Sequence, residues 1–253
     1  MERKQNGKLL NIFFTAGYPM LHSLDDILPS LVAAGVDMIE VGLPYSDPLA
    51  DGQLIQETSK VALQNGMHID ILFEQLDRNY ETVSALPVYL MGYFNQFLQY
   101  GPERFLARCF KAGVKGLILP DLPMEYYETE YAKLFEKWQV GISFLICPDT
   151  SEGRLDNADR LSTGFVYAVS QSATTGSKLT ADTTLKTYLQ QLQNRTWKNK
   201  VLLGFGIQKH NDFETACAYL DGAIVGSAFL QHIKQHGIGR EGIIKFVKSI
   251  RND

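Results

Sequence analysis

The sequence predicts a single (β/α)₈ barrel, an α/β fold of the TIM-barrel type, that takes in residues 1–253. Eight short apolar segments alternate with helical patterns, and such alternation implies parallel strands joined by right-handed crossovers. About 250 residues is a usual length for eight such units. An open, doubly wound sheet is the alternative. It would need a Gly-rich dinucleotide loop after the first strand, where the chain has Thr15-Ala-Gly-Tyr-Pro19.

The predicted strands are apolar runs bounded by Gly, Pro or Asp. They cover residues 9–14, 36–41, 87–91, 116–119, 141–146, 164–169, 201–203 and 223–225. Helical patterns cover residues 23–34, 54–64, 69–84, 102–112, 124–138, 182–194 and 212–218, followed by two terminal helical stretches. Ser23 is the expected N-cap of the first helix, and Pro102 stands in the first turn of another.

Composition narrows the class of protein. The net charge is −4 and no basic stripe stands out, which argues against nucleic-acid binding. Cys109, Cys147 and Cys217 are isolated, so we expect a reducing cytoplasm and no zinc site. His232 and His236 favour a solvated helix face over a metal site. The sequence predicts neither a signal peptide nor a membrane span.

Glu40 is the leading catalytic candidate. It stands near the C-terminal end of the apolar strand 36–41, where side chains alternate between the two faces. Burial of an unpaired carboxylate is unfavourable and raises its pKa, which suits a general acid/base near neutral pH. The alternative is a rim carboxylate that points into water.

Barrel active sites lie at the C-terminal ends of the strands. The candidate residues at those ends are Glu40, Asp47, Asp51, Tyr93, Asn95, Asp121, Tyr167, Thr175, Gly176, Gly204, Phe205, Gly206, Gly226 and Ser227. Several have plainer alternatives: Asp47 suits a turn, Asp51 suits a turn or an N-cap, and Tyr167 could be a core residue with a wet hydroxyl.

The glycines after the last two strands indicate a phosphate site. Barrel enzymes often bind phosphate with the loops after strands seven and eight and the N-terminus of a short helix. Gly204-Phe-Gly206 and Gly226-Ser227 occupy those places, and glycine lets backbone N–H groups approach an anion. Ordinary turn glycines are the alternative interpretation.

One long motif resembles a known family. The stretch Glu40-Val-Gly-Leu-Pro-Tyr-Ser-Asp-Pro-Leu-Ala-Asp-Gly52 is similar to the signature of the tryptophan synthase α subunit family. The resemblance covers nearly the whole chain in the right order. It continues through Phe14-Thr-Ala-Gly17, Gly92-Tyr-Phe-Asn95, Pro120-Asp-Leu-Pro123, Gly204-Phe-Gly206-Ile207 and Gly226-Ser-Ala228.

The resemblance implies a lyase that cleaves indole-3-glycerol phosphate, by a retro-aldol reaction, to indole and glyceraldehyde 3-phosphate. Glu40 matches the family's acid/base, and Asp51 matches the carboxylate that accepts the indole N–H bond. Tyr167 matches a residue beside Glu40. The remaining matches are Thr175 and Gly176 in a closing loop, Gly176, Gly206, Gly226 and Ser227 at the phosphate, and Phe13, Ile55, Ile118 and Phe205 around the indole.

The resemblance also implies an αββα complex without a metal or organic cofactor in this subunit. The β partner uses pyridoxal phosphate to join indole to serine, and Pro44, Asp47 and Asp121 would lie at or near the interface. Two alternative functions are left open. One is a stand-alone indole-releasing lyase, and the other is a catalytically weak scaffold that activates the β subunit.

Three positions depart from the family pattern. Gln171 stands where the family typically has Arg, Ala173 where it has Gly, and Gln53 where it has Pro. The leading helix of the family is also expected to be shortened. We therefore expect catalysis to be retained and loop closure and coupling between subunits to differ.

Overall fold

The computed structural model describes residues 8–48, 51–170, 183–204 and 206–252, and it contains the predicted barrel. All strand neighbours are parallel. The strands are β1 Leu9–Thr15, β2 Met38–Gly42, β3 Val88–Met91, β4 Gly116–Ile118, β5 Gly141–Ile142, β6 Leu145–Ile146, β7 Val166–Val169, β8 Val201–Gly204 and β9 Gly222–Val225.

The fifth predicted strand is split into β5 and β6, and this split strand closes the ring. The sheet order is β5-β4-β3-β2-β1-β9-β8-β7-β6, so the two halves stand at its two ends. Between them, the Ser143 N–H donates to the Leu117 carbonyl at 3.0 Å, and the Tyr167 N–H donates to the Phe144 carbonyl at 2.9 Å. The connecting residues thus bond to both neighbouring strands, and the nine segments form an eight-stranded barrel.

Helices surround the barrel. They are α1 Leu24–Ala33, α2 Gln53–Gln64, α3 Ile69–Arg78, α4 Tyr80–Ala85, α5 Phe94–Tyr100, α6 Pro102–Lys111, α7 Met124–Tyr126, a π-helical turn Tyr127–Tyr131, α8 Ala132–Lys137, α9 Glu152–Leu161, α10 Thr183–Asn194, α11 His210–Tyr219, α12 Ser227–His236 and α13 Arg240–Arg251. None of the helices in the described ranges has the length and apolar character that a bilayer crossing requires.

The helical predictions need three kinds of correction. The helix predicted over 69–84 is divided at Asn79, whose φ and ψ of −99° and 20° are not helical. Two helices were not predicted: α5 has only seven residues, and α9 is polar apart from its buried Leu155, Ala158 and Leu161. Ser23 lies at the N-cap position, but its hydroxyl accepts the Met20 N–H at 3.0 Å and caps no N–H of the helix.

Aromatic rings fill the barrel interior opposite glycines. Phe13, Glu40 and Tyr89 are register partners on neighbouring strands and therefore point to the same side of the sheet. A Cβ atom at Gly204 would lie 2.2 Å from the Tyr167 ring, and one at Gly116 would lie 2.7 Å from the Tyr89 ring. The absent side chains leave the space that these tyrosines occupy.

Candidate active site

Glu40 is a buried carboxyl and not a rim carboxylate. It lies on β2 with no exposed surface. The Asn11 side-chain amide donates to Glu40 Oε1 at 2.7 Å, and Glu40 Oε2 has no hydrogen-bond partner among the described residues. Burial raises the pKa of Glu40 from 4.5 to about 8, and the Asn11 hydrogen bond partly opposes this rise. A group with this pKa can both donate and accept a proton near neutral pH.

Asp51 is a second carboxyl with a raised pKa. Burial raises its pKa from 3.8 to about 6, against a lowering by the hydrogen bond from Tyr93. That bond joins Tyr93 Oη to Asp51 Oδ2 at 3.1 Å. The N-cap of α2 is Gly52, so the N-cap alternative for Asp51 is wrong. Its side chain instead lines a small cavity beside Phe13 and Ile55.

A cleft of about 750 Å³ opens at this end of the barrel. Six residues proposed from the sequence line it: Phe13, Ile55, Tyr167, Gly206, Gly226 and Ser227. Phe13, Ile55 and Met91 also line the small cavity that contains Asp51. The strand ends and loops therefore bring an aromatic wall, a carboxyl group and the glycine loops to one place.

Tyr167 lies near enough to both carboxyl groups for their charges to affect its hydroxyl. Burial raises the pKa of its hydroxyl well above the usual value, and the nearby charges of Glu40 and Asp51 raise it further. The tyrosine therefore stays neutral across the physiological range. Its ring forms part of the cleft wall and is also buried, which reconciles the two predictions for this residue.

The part of the cleft lined by Gly206, Gly226 and Ser227 has the features of an anion site. Gly226 is the N-cap of α12, a helix of ten residues that begins at Ser227. The first N–H groups of a helix lack intrahelical partners and carry partial positive charge. Gly206 has a φ of +81°, a conformation that a side chain would strain. Such an arrangement suits a phosphate or another small anion.

The other predicted residues have varied positions. Ile118 is fully buried and pairs in register with Met91, a cleft residue, but is not itself among the residues that line the cleft. Thr175, Gly176 and Phe205 lie outside the described residues, as do Gln171 and Ala173. Asp121 accepts the Phe94 N–H at 2.8 Å, and Asp47 accepts the Ser46 hydroxyl at 2.7 Å.

The described part of the chain offers no group of three or more side chains that could hold a metal ion. The rings of His232 and His236 lie 4.8 Å apart, and His232 also packs against Phe246. His232 lines the cleft, so the predicted solvated face fits it only in part.

Sequence reasoning missed Asn11 and Met91. Asn11 is the one polar residue between Leu9 and Phe14, and it stands two positions before Phe13. Alternation along a strand places both on the same face. That interruption of an apolar strand was the available signal. Met91 carried no comparable signal, because an apolar residue at a strand end is ordinary.

Comparison with known proteins agrees with this geometry. The family model described as "Tryptophan synthase alpha chain" matches residues 1–251. The tryptophan synthase alpha chain of Flavobacterium johnsoniae is 45% identical over 248 residues, which cover 98% of this chain and 97% of that protein. That of Parabacteroides distasonis is 40% identical over 247 residues, covering 98% and 96%. A chain from the tryptophan synthase a2b2 complex of Pyrococcus furiosus superposes with a TM-score of 0.88 at 32% identity, covering 97% of this chain and 98% of that chain.

Proposed function

The chain belongs to the tryptophan synthase alpha chain family, whose members are lyases of tryptophan biosynthesis, and we propose that Glu40 and Asp51 carry the family reaction here. That reaction is the retro-aldol cleavage of indole-3-glycerol phosphate to indole and glyceraldehyde 3-phosphate. The observation that carries the assignment is a fully buried carboxyl with a pKa near 8. It lies beside a cleft that has the features of an anion site and that shares Phe13, Ile55 and Met91 with the small cavity lined by the second carboxyl.

Glu40 is the proton carrier. In its protonated form it donates a proton to indole C3, which gives a positively charged indolenine. The bond between C3 and the glyceryl carbon then breaks, and its electron pair returns to the ring. Glu40, now a carboxylate, takes the proton of the glyceryl hydroxyl as the aldehyde forms. The proton balance is zero, and a pKa of about 8 leaves Glu40 protonated at the start of the cycle at neutral pH.

Asp51 stabilises the charge that develops on the indole nitrogen. Its carboxylate accepts the N–H bond, which strengthens as the indolenine forms. The hydrogen bond from Tyr93 favours the ionised form of Asp51, which is the form that this role requires.

The remaining cleft residues bind the substrate. The N-terminus of α12 at Gly226 and Ser227, with Gly206, receives the phosphate. Phe13, Ile55 and Tyr167 enclose the indole ring, together with Ile118, the register partner of the cleft residue Met91. Thr175, Gly176 and Phe205 keep the roles that the family resemblance gives them, in the closing loop, the phosphate site and the indole site.

The partner follows from the family. A structure from Pyrococcus furiosus is a tryptophan synthase a2b2 complex, and we extend that assembly to this chain. The partner is then a pyridoxal-phosphate-dependent β subunit in an αββα tetramer. The complex is located in the cytoplasm. Asp47, Pro44 and Asp121 belong to the contact surface.

The test is cleavage by two isosteric variants, both assayed with the β subunit present. Glu40→Gln removes the transferable proton and is expected to lower kcat by at least about 10³-fold. Asp51→Asn removes the compensating charge and is expected to lower kcat by about 10²-fold. Circular dichroism and partner binding should match the unmodified chain. A Glu40→Gln variant that kept most of its rate would overturn the assignment.

A further inference from the structure

We propose that Asn11 is a positioning residue for Glu40, whose side-chain amide holds the Glu40 carboxyl in both its ionised and its protonated state. The proposal rests on the proposed function in one respect: it takes Glu40 as the group that transfers protons. It adds a residue that acts through Glu40 and does not line the described cleft.

The first observation is a short, fully enclosed contact. Asn11 lies on β1, and neither it nor Glu40 has exposed surface. The distance of 2.7 Å between Asn11 Nδ2 and Glu40 Oε1 is that of a hydrogen bond to a charged acceptor. Asn11 stands two positions before Phe13, a cleft residue, and is a register partner of Met38, two positions before Glu40. The contact therefore crosses between two neighbouring inward positions of the barrel.

The second observation is that two buried polar atoms have no hydrogen-bond partner among the described residues. They are Asn11 Oδ1 and Glu40 Oε2. An amide carries a donor and an acceptor on one rigid group. It donates to the Glu40 carboxylate and, when Glu40 is protonated, its oxygen can accept the carboxyl O–H. One side chain can thus serve both states of the proton carrier, which an apolar residue could not do. The ionised state gains more from it, because its hydrogen bond is charge-assisted, so the net effect of Asn11 is to lower the pKa of Glu40.

No other neighbour in the described ranges replaces this amide. Among the described residues, the ionisable groups that interact electrostatically with Glu40 are Tyr89 on β3 and Tyr167 on β7, and Asp51, in the loop before α2, acts on Tyr167. The two tyrosines are neutral and Asp51 is an acid, so none supplies positive charge. Within the described residues, the Asn11 bond is the one contact that favours the ionised form of Glu40 against burial.

The test is a direct titration of Glu40 in Asn11→Leu, which removes the amide at nearly constant size. Difference infrared spectroscopy follows the C=O stretch of the protonated carboxyl, and the band missing in Glu40→Gln is assigned to Glu40. Loss of the donor is expected to raise the midpoint by about one pH unit or more. With the β subunit present, kcat should fall roughly tenfold while KM stays within about twofold, because Asn11 does not line the cleft.

Gln75→Leu is the matched control. Gln75 is also a fully buried amide. Its side-chain nitrogen donates to the Leu21 carbonyl at 2.8 Å and lies 3.3 Å from His22 Nδ1, and its side-chain oxygen has no partner among the described residues. It lies on α3, and its hydrogen-bond contacts are with Leu21 and His22 before α1 and not with Glu40. Its loss should destabilise the fold comparably and leave the Glu40 band unmoved.

An unshifted Glu40 midpoint in Asn11→Leu would overturn the proposal, and so would an equal shift in Gln75→Leu. If Asn11→Leu does not fold, the Glu40 midpoint is measured in Asn11→Ser, and the same two outcomes apply. The titration does not depend on catalysis. Retained cleavage by Glu40→Gln would therefore overturn the proposed function alone and leave the titration result to decide the Asn11 proposal.

Discussion

Burial of Glu40 suits proton transfer and works against stability at alkaline pH. The folded chain holds the Glu40 proton up to about pH 8, whereas an unfolded chain releases it near pH 4.5. Between those values the folded state binds more protons, so the free energy of unfolding falls as pH rises and levels off above pH 8. A catalytic carboxyl here is a stability liability.

Glu40→Gln should therefore be more stable than the unmodified chain, and increasingly so towards pH 8. The difference is expected to be small at pH 5 and on the order of 4 kcal/mol at most at pH 8. Urea unfolding of both proteins at the two pH values measures it. A difference that did not change with pH would contradict the raised pKa.

Tyr93 controls the second carboxyl. Its hydrogen bond lowers the pKa of Asp51, so Tyr93→Phe should raise that pKa above its present value of about 6. Asp51 would then be protonated over a wider pH range, and the acidic limb of the kcat profile should move to higher pH by about half a unit to one unit. Tyr45→Phe is the control. The Tyr45 ring stacks on Tyr93 at 4.9 Å, but its hydroxyl accepts a bond from Asn95. Equal shifts in both variants would rule out a specific effect on Asp51.

At the scale of elements, α2 and α12 both line the cleft, contact each other and are joined by an ion pair. Lys234 on α12 lies 3.1 Å from Glu57 on α2, and Gln53 donates to the same carboxylate at 3.3 Å. All three side chains line the cleft. Lys234 and Glu57 are about half exposed, so their pair contributes little to stability. The charges of Lys234 and Glu57 instead influence the electrostatic potential in the cleft, which acts on an anionic substrate.

Lys234→Met should raise KM for indole-3-glycerol phosphate by about two- to fivefold at low ionic strength, because it removes positive charge from the cleft. The effect should largely vanish in about 0.5 M salt, where screening shortens the range of the charge. Lys245→Met removes an exposed charge from α13 outside the described cleft wall and is the control. A KM change that was unaffected by salt would indicate a structural cause.

Apolar patterns in the sequence were sufficient to predict the strands but not all of the helices. Apolar runs predicted every strand position, because strands covered on both faces are continuously apolar. α5 and α9 were missed because one is very short and the other has few apolar residues. The break between β5 and β6 was not predictable, since it depends on bonds to Leu117 and Tyr167 on two different neighbours.

At the scale of the whole molecule, ring closure assembles a site whose parts are distant in sequence. Glu40 and the glycines at 206 and 226 could be predicted because strand ends meet at one end of a barrel. The Asn11 contact and the Tyr93 bond to Asp51 could not, because side-chain partners across strands depend on register. The resemblance supplied chemical roles that spacing alone left open, notably for Asp51.

Indole release from indole-3-glycerol phosphate by the purified chain, measured with and without a tryptophan synthase β subunit, tests the central claim most directly. We expect slow release by the chain alone and a large gain with the partner, as for a lyase coupled to a second subunit. Fast indole release by the chain alone, with no increase when the β subunit is added, would agree with lyase activity but contradict coupling between the subunits. No indole in either state would contradict the account.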